Sequence, residues 1–81
     1  MVFFATTRSA FDSYMQFAEA HAALWVGAGV LSAQELAALR ARGMAITDFH
    51  HAIAMDDPAA LQDALGTIEE HHPGQVVWVG R

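Results

Sequence analysis

The chain of 81 residues predicts an α/β fold in a single domain spanning residues 1–81. Four strands alternate with three helices as β-α-β-α-β-α-β, which makes a four-stranded, mainly parallel sheet. Three observations carry this expectation. Short apolar runs recur at residues 2–5, 24–26 and 76–79, with a mixed strand-like run at 45–49. Helix start and stop signals fall in each interval between them. Every connection is short, and no repeat or low-complexity segment interrupts the alternation.

The elements follow in order. "VFFA", residues 2–5, reads as a strand buried on both faces. Ser9 is expected to cap the first helix, with Asp12 in the acidic position of a capping box. Phe11, Tyr14, Met15 and Ala18 then recur at helical spacing and predict the core-facing stripe. Phe17 lies off that stripe and adds to the surplus of apolar surface.

Residues 24–26 form the second strand, closed by "GAG". Ser32 and Glu35 match an S-x-x-E capping box for the second helix, and Gly43 stands at its C′ position. Leu36 and Leu39 supply its apolar side. "AITDF", residues 45–49, mixes polar and apolar residues and predicts a half-exposed third strand. Asp57 followed by Pro58 is the firmest start signal in the chain. The third helix carries Leu61, Leu65 and Ile68 on one stripe and stops at Pro73-Gly74. Residues 76–79 form the last strand.

Strand order follows from polarity. A polar third strand belongs at an edge, which favours the order 3-2-1-4 with the first two helices on one face and the third on the other. The order 2-1-3-4 is the alternative; it buries the polar strand centrally.

Composition bounds the function. Some 54% of the residues are apolar, against roughly 45–50% in an ordinary domain with glycine included. A domain this small has little core to absorb the excess, so self-association as a homodimer is expected, through an edge strand or the thinly covered sheet face. The net charge is −5, and the chain holds four arginines and no lysine. That balance argues against nucleic acid and against an anionic membrane surface as partners. With no cysteine, thiol chemistry and cysteine-ligated zinc are excluded, and a cytoplasmic setting is expected.

In open α/β sheets ligands bind beyond the carboxyl ends of the strands. Thr6, Thr7 and Arg8 follow the first strand, Gly27 and Gly29 the second, and His50 and His51 the third. These seven are the candidate ligand-binding residues. "TTRS" leads into a helix N-terminus, where free N–H groups favour a small anion and Arg8 adds charge. The plainer account is a polar loop with helix-capping threonines.

"VGAGVLS" sets G-x-G between a strand and a helix, with Asp48 about twenty residues on, as in the dinucleotide fingerprint. It departs from that pattern because Ser32 replaces the third glycine and the helix starts late. A tight connecting loop accounts for both glycines. Asp48 and His50 offer two ligands at D-x-H spacing, but no third is local, so no metal site is assigned. "TIEEHHPG" places His71 and His72 at the amino end of the sheet. There they read as the last turn of a helix, since adjacent helical residues diverge by about 100°. No triad order, nucleophile elbow or P-loop occurs. The expectation is therefore a homo-oligomeric interaction or binding module without catalysis or cofactor. A minimal enzyme or a protein binding an anion or nucleotide at the carboxyl edge is the alternative.

Overall fold

The computed structural model describes residues 1–17, 23–51, 53, 54 and 56–80, apart from the Phe17 side chain. Seven elements alternate along the chain: β1 (Val2–Ala5), α1 (Arg8–Phe17), β2 (Ala23–Val26), α2 (Ala33–Ala41), β3 (Ile46–Asp48), α3 (Pro58–His71) and β4 (Val77–Gly80). All pairings are parallel, and the sheet order is β3-β2-β1-β4. The expected order 3-2-1-4 holds, and 2-1-3-4 does not. β3, polar at Thr47 and Asp48, lies at one edge, while the two apolar strands β1 and β2 lie inside.

The pleat divides the core into two layers. Ala5, Leu24, Val26 and Ile46 face Ala10, Phe11 and Tyr14 of α1 and Leu36 of α2. Val2, Phe4 and Trp25 face Ala64 and Ile68 of α3, joined by Phe49 and Ile53. α1 and α2 thus cover one face and α3 the other, as right-handed crossovers require for this order.

The caps explain where the helices begin and end. Thr7, not Ser9, caps α1: its Oγ1 accepts from Ala10 N at 3.0 Å and its carbonyl from Phe11 N at 3.1 Å. Ser9 lies inside the helix. Both residues have the capping chemistry; the end of β1 selects the nearer one. The buried stripe consequently runs through Ala10, Phe11 and Tyr14, and Met15 is exposed. The expectations for Ala18 and for the Phe17 side chain fall outside the described residues.

α2 begins with the full capping box of Ser32 and Glu35. It ends in a Schellman turn, with Met44 N bonded to Leu39 O and Gly43 N to Arg40 O. Gly43 has φ of +89°, which a side chain would strain. α3 begins at Asp57, whose Oδ1 accepts from Ala60 N at 3.1 Å, with Pro58 in the first turn. It stops at "HHPG", where His72 is the last capping residue and Gly74 has φ of +75°.

Candidate functional site

At the carboxyl edge, Thr6, Thr7, Arg8, Gly27 and His51 are engaged by their own surroundings. Thr6 is half-buried. Its N–H and its hydroxyl both donate to Gly80 O, at 3.1 and 2.8 Å, and this locks the ends of β1 and β4 together. Thr7 is the α1 cap. The Arg8 guanidinium lies over the Phe11 ring, with Cζ 5.4 Å from the centroid. Its Nη1 donates to Glu35 Oε2 at 2.6 Å and its Nε to Asp12 Oδ1 at 3.2 Å.

These contacts set the local electrostatics. The hydrogen bonds that Arg8 donates to Glu35 and then to Asp12 raise its pKa above the ordinary value. Glu35 is held below the usual carboxylate range, first by the Ser32 backbone N–H and then by Arg8. One guanidinium is shared by two carboxylates, so an anion arriving at α1 meets a net negative neighbourhood. The sequence placed Arg8 correctly at a helix start; its partner Glu35, on another helix, has no signature at that separation.

Gly27 is buried and its N–H donates to Ala5 O at 3.2 Å. A Cβ on Gly27 would make ordinary contacts at 3.7 Å with Ile53 N and Val30 Cγ2. Gly29 is exposed with φ of +81°, so the turn geometry itself calls for glycine. The turn therefore explains Gly29, while nothing in the local packing requires glycine at position 27. His50 and His51 are exposed. The His51 ring stands edge-on to Phe49 at 6.1 Å, and its carbonyl accepts from Ala28 N at 3.4 Å. Among the described residues no cluster of three His, Cys, Asp or Glu is arranged to hold a metal ion.

The amino end carries an aromatic grouping that the sequence did not reveal. His71 and His72 both stand edge-on to Trp25, at 5.3 and 6.1 Å between centroids. His71 Nδ1 also lies 2.9 Å from Thr67 O. Their rings converge on one large indole, because Trp25 reaches both. Trp25 Nε1 is buried without a hydrogen-bond partner among the described residues.

The two open edges of the sheet differ most. At β3, Leu24 N bonds Ala45 O and Phe49 N bonds Val26 O. Backbone groups alternate in direction along a strand, so those of Ile46 and Asp48 point away from the sheet. Arg40 covers this row. Its Nε and Nη2 donate to Ile46 O at 3.2 and 2.8 Å, and Nη2 also reaches Asp48 Oδ1 at 3.1 Å.

At β4, Val2 N bonds Val76 O and Thr6 N bonds Gly80 O. By the same alternation the N–H and C=O groups of Val77 and Val79 point outward. No charged residue lies in β4. Trp78 is 57% exposed and Val76 64%, with Met1 exposed beside them. Sequence reasoning read the 76–79 run correctly as a strand, and both strand orders it weighed put that strand at an edge; it did not show that Trp78 and Val76 stay exposed there.

No family model, curated protein sequence or solved structure matches the chain. Among the described residues no helix is long and apolar enough to cross a membrane.

Proposed function

We propose that this protein is a non-catalytic α/β interaction module that works as a homodimer in the cytoplasm. The observation that carries the reading is the β4 edge: an uncharged strand with outward backbone groups and a largely exposed tryptophan. Strand edges in monomeric proteins are ordinarily blunted by charge, proline, a bulge or a covering element. β3 is treated in that way and, among the described residues, β4 is not. Exposed large apolar side chains grouped at one place mark interaction surfaces. The carboxyl edge supports a ligand-binding role less well, because Arg8 is neutralised and Thr6 and Thr7 are used in holding the fold.

Sedimentation equilibrium across the micromolar range tests the proposal. The expected result is a concentration-dependent approach to twice the 8.8 kDa chain mass. A single monomeric species throughout would overturn it.

A further inference from the structure

We propose that two copies join through antiparallel pairing of β4 with β4 in one defined register. Val77 of each copy lies opposite Val79 of the other, and Trp78 lies opposite Trp78 on the two-fold axis. The proposal rests on the homodimer reading above and specifies its interface.

Symmetry and hydrogen bonding select this arrangement. In a parallel pair, the bonding residues of one strand lie opposite non-bonding residues of the other, so the two strands are not equivalent. A closed two-fold dimer needs equivalent surfaces, and β4 must therefore meet its copy antiparallel. In an antiparallel pair, opposed residues exchange both N–H···O=C bonds when the groups of both face the partner. Val77 and Val79 are the outward-facing residues of β4. Setting Val77 against Val79 of the second copy uses every outward group of both residues. Centring the axis on Val77 or on Val79 leaves the other residue opposite a position outside the strand.

Side chains fit the same register. Val77 and Val79 pack on the α3 face, so Val76, Trp78 and Gly80 alternate to the α1 face. There Trp78 meets Trp78 of the second copy as a non-hydrogen-bonded pair, where Cα atoms come within about 4.5 Å and side chains lie closest. Val76, which is exposed, lies over Gly80 of the second copy, whose missing side chain leaves room. Neither strand brings a charge, so no like-charge pair opposes the contact. The product is a continuous eight-stranded sheet, 3-2-1-4-4-1-2-3, whose outer edges are the two β3 strands covered by Arg40.

Area sets a further requirement. A standard interface buries about 800 Å² per partner, roughly one-sixth of the 5100 Å² surface of this chain. Four strand residues fall short of that, so the flanking apolar side chains must be buried as well. Met1 lies beside the start of β4, one strand in from the open edge: its amine donates to Gln75 Oε1 at 2.8 Å, and Val2 N bonds Val76 O. The exposed Trp78 and Val76 extend the contact where the area is needed.

The chain has no cysteine, so single-cysteine variants report the register without background. Trp78→Cys, Val77→Cys and, at the other edge, Thr47→Cys are oxidised at micromolar concentration and scored for covalent dimer. Parent, Val77→Pro and Trp78→Glu are sedimented in parallel, with circular dichroism and urea midpoints confirming that each variant folds. Proline at 77 removes an outward N–H only, which an edge strand tolerates.

The expected result is rapid cross-linking of Trp78→Cys, little of the other two, and at least a ten-fold weaker dimer for Val77→Pro and Trp78→Glu. A dimeric parent whose Trp78→Cys variant does not cross-link, or whose Val77→Pro variant dimerises unchanged, overturns this interface and leaves the homodimer standing. A monomeric parent overturns both.

Discussion

The two edges of this sheet show how a small domain can both expose and conceal its backbone. β3 is three residues long, polar, and covered by a guanidinium that satisfies an outward carbonyl and pairs with the Asp48 carboxylate. β4 is four residues long, uncharged, and presents outward amides and carbonyls beside an exposed indole. Polarity separates them, and so does cover. α2 sends Arg40 back over β3, while nothing among the described residues lies across the outward groups of β4. In the proposed dimer, an unprotected edge opposite a protected one gives pairing a single direction, so association would close at a dimer and not propagate.

The substitution with the largest expected effect is Gly80→Ala, at the end of the bare strand. A Cβ there would sit 2.9 Å from Ala10 Cβ and 2.9 Å from Phe3 Cζ. Phe3 is itself packed against Tyr14, with ring centroids 4.8 Å apart, so it has little room to yield. Overpacking of this kind costs about 1–3 kcal/mol. A urea midpoint lowered by that amount, with a weaker dimer, is the expected outcome. An unchanged midpoint would mean that β4 and α1 adjust freely, and that the edge is less fixed than the comparison requires.

Removing the helix caps should separate stability from association. Ser32→Ala unties the start of the helix that carries Arg40, and Asp57→Ala unties the helix on the other face. Each is expected to lower stability by about 0.5–2 kcal/mol. The dimer constant should be unaffected, because neither residue touches β4. Denaturant midpoints and sedimentation on the same samples check this; a dimer that weakens in step with stability would tie association to global folding instead of to one edge.

Arg40→Ala should have the smallest effect on stability, under about 1 kcal/mol, since the ion pair is exposed and water can reach the freed carbonyl. Its expected signature lies elsewhere. With both edges open, sedimentation velocity should reveal species larger than the dimer. If the variant remains strictly dimeric, the short length and polarity of β3 suffice as protection, and the guanidinium is incidental.

Much of this architecture was legible in the sequence because its signals are local. The capping box at Ser32, the Asp57-Pro58 start and the polar "AITDF" run place α2, α3 and the edge position of β3. Where several residues share one chemistry, spacing could not choose: Thr7 takes the cap assigned to Ser9, which moves the buried stripe from Met15 to Ala10. Contacts distant in sequence were not visible at all. The Glu35 partner of Arg8, the convergence of His71 and His72 on Trp25, and the reach of Arg40 to Ile46 arise only when the helices dock. Trp78 was hidden for a different reason. The expected strand order already set this run at a margin, but a short apolar run does not tell which of its side chains a helix will cover, and Trp78 stays exposed.

Amide hydrogen exchange, followed residue by residue as the protein is diluted, measures the difference between the edges directly. The amides of Trp78 and Gly80 face β1 and should remain protected at every concentration. Those of Val77 and Val79 face outward and should be protected in concentrated samples, then exchange faster as the protein falls below the dimer constant. The outward amides of Ile46 and Asp48, on the guarded edge, should exchange rapidly throughout. If Val77 and Val79 exchange as rapidly as Ile46 and Asp48 at all concentrations, β4 has no partner strand and the account fails.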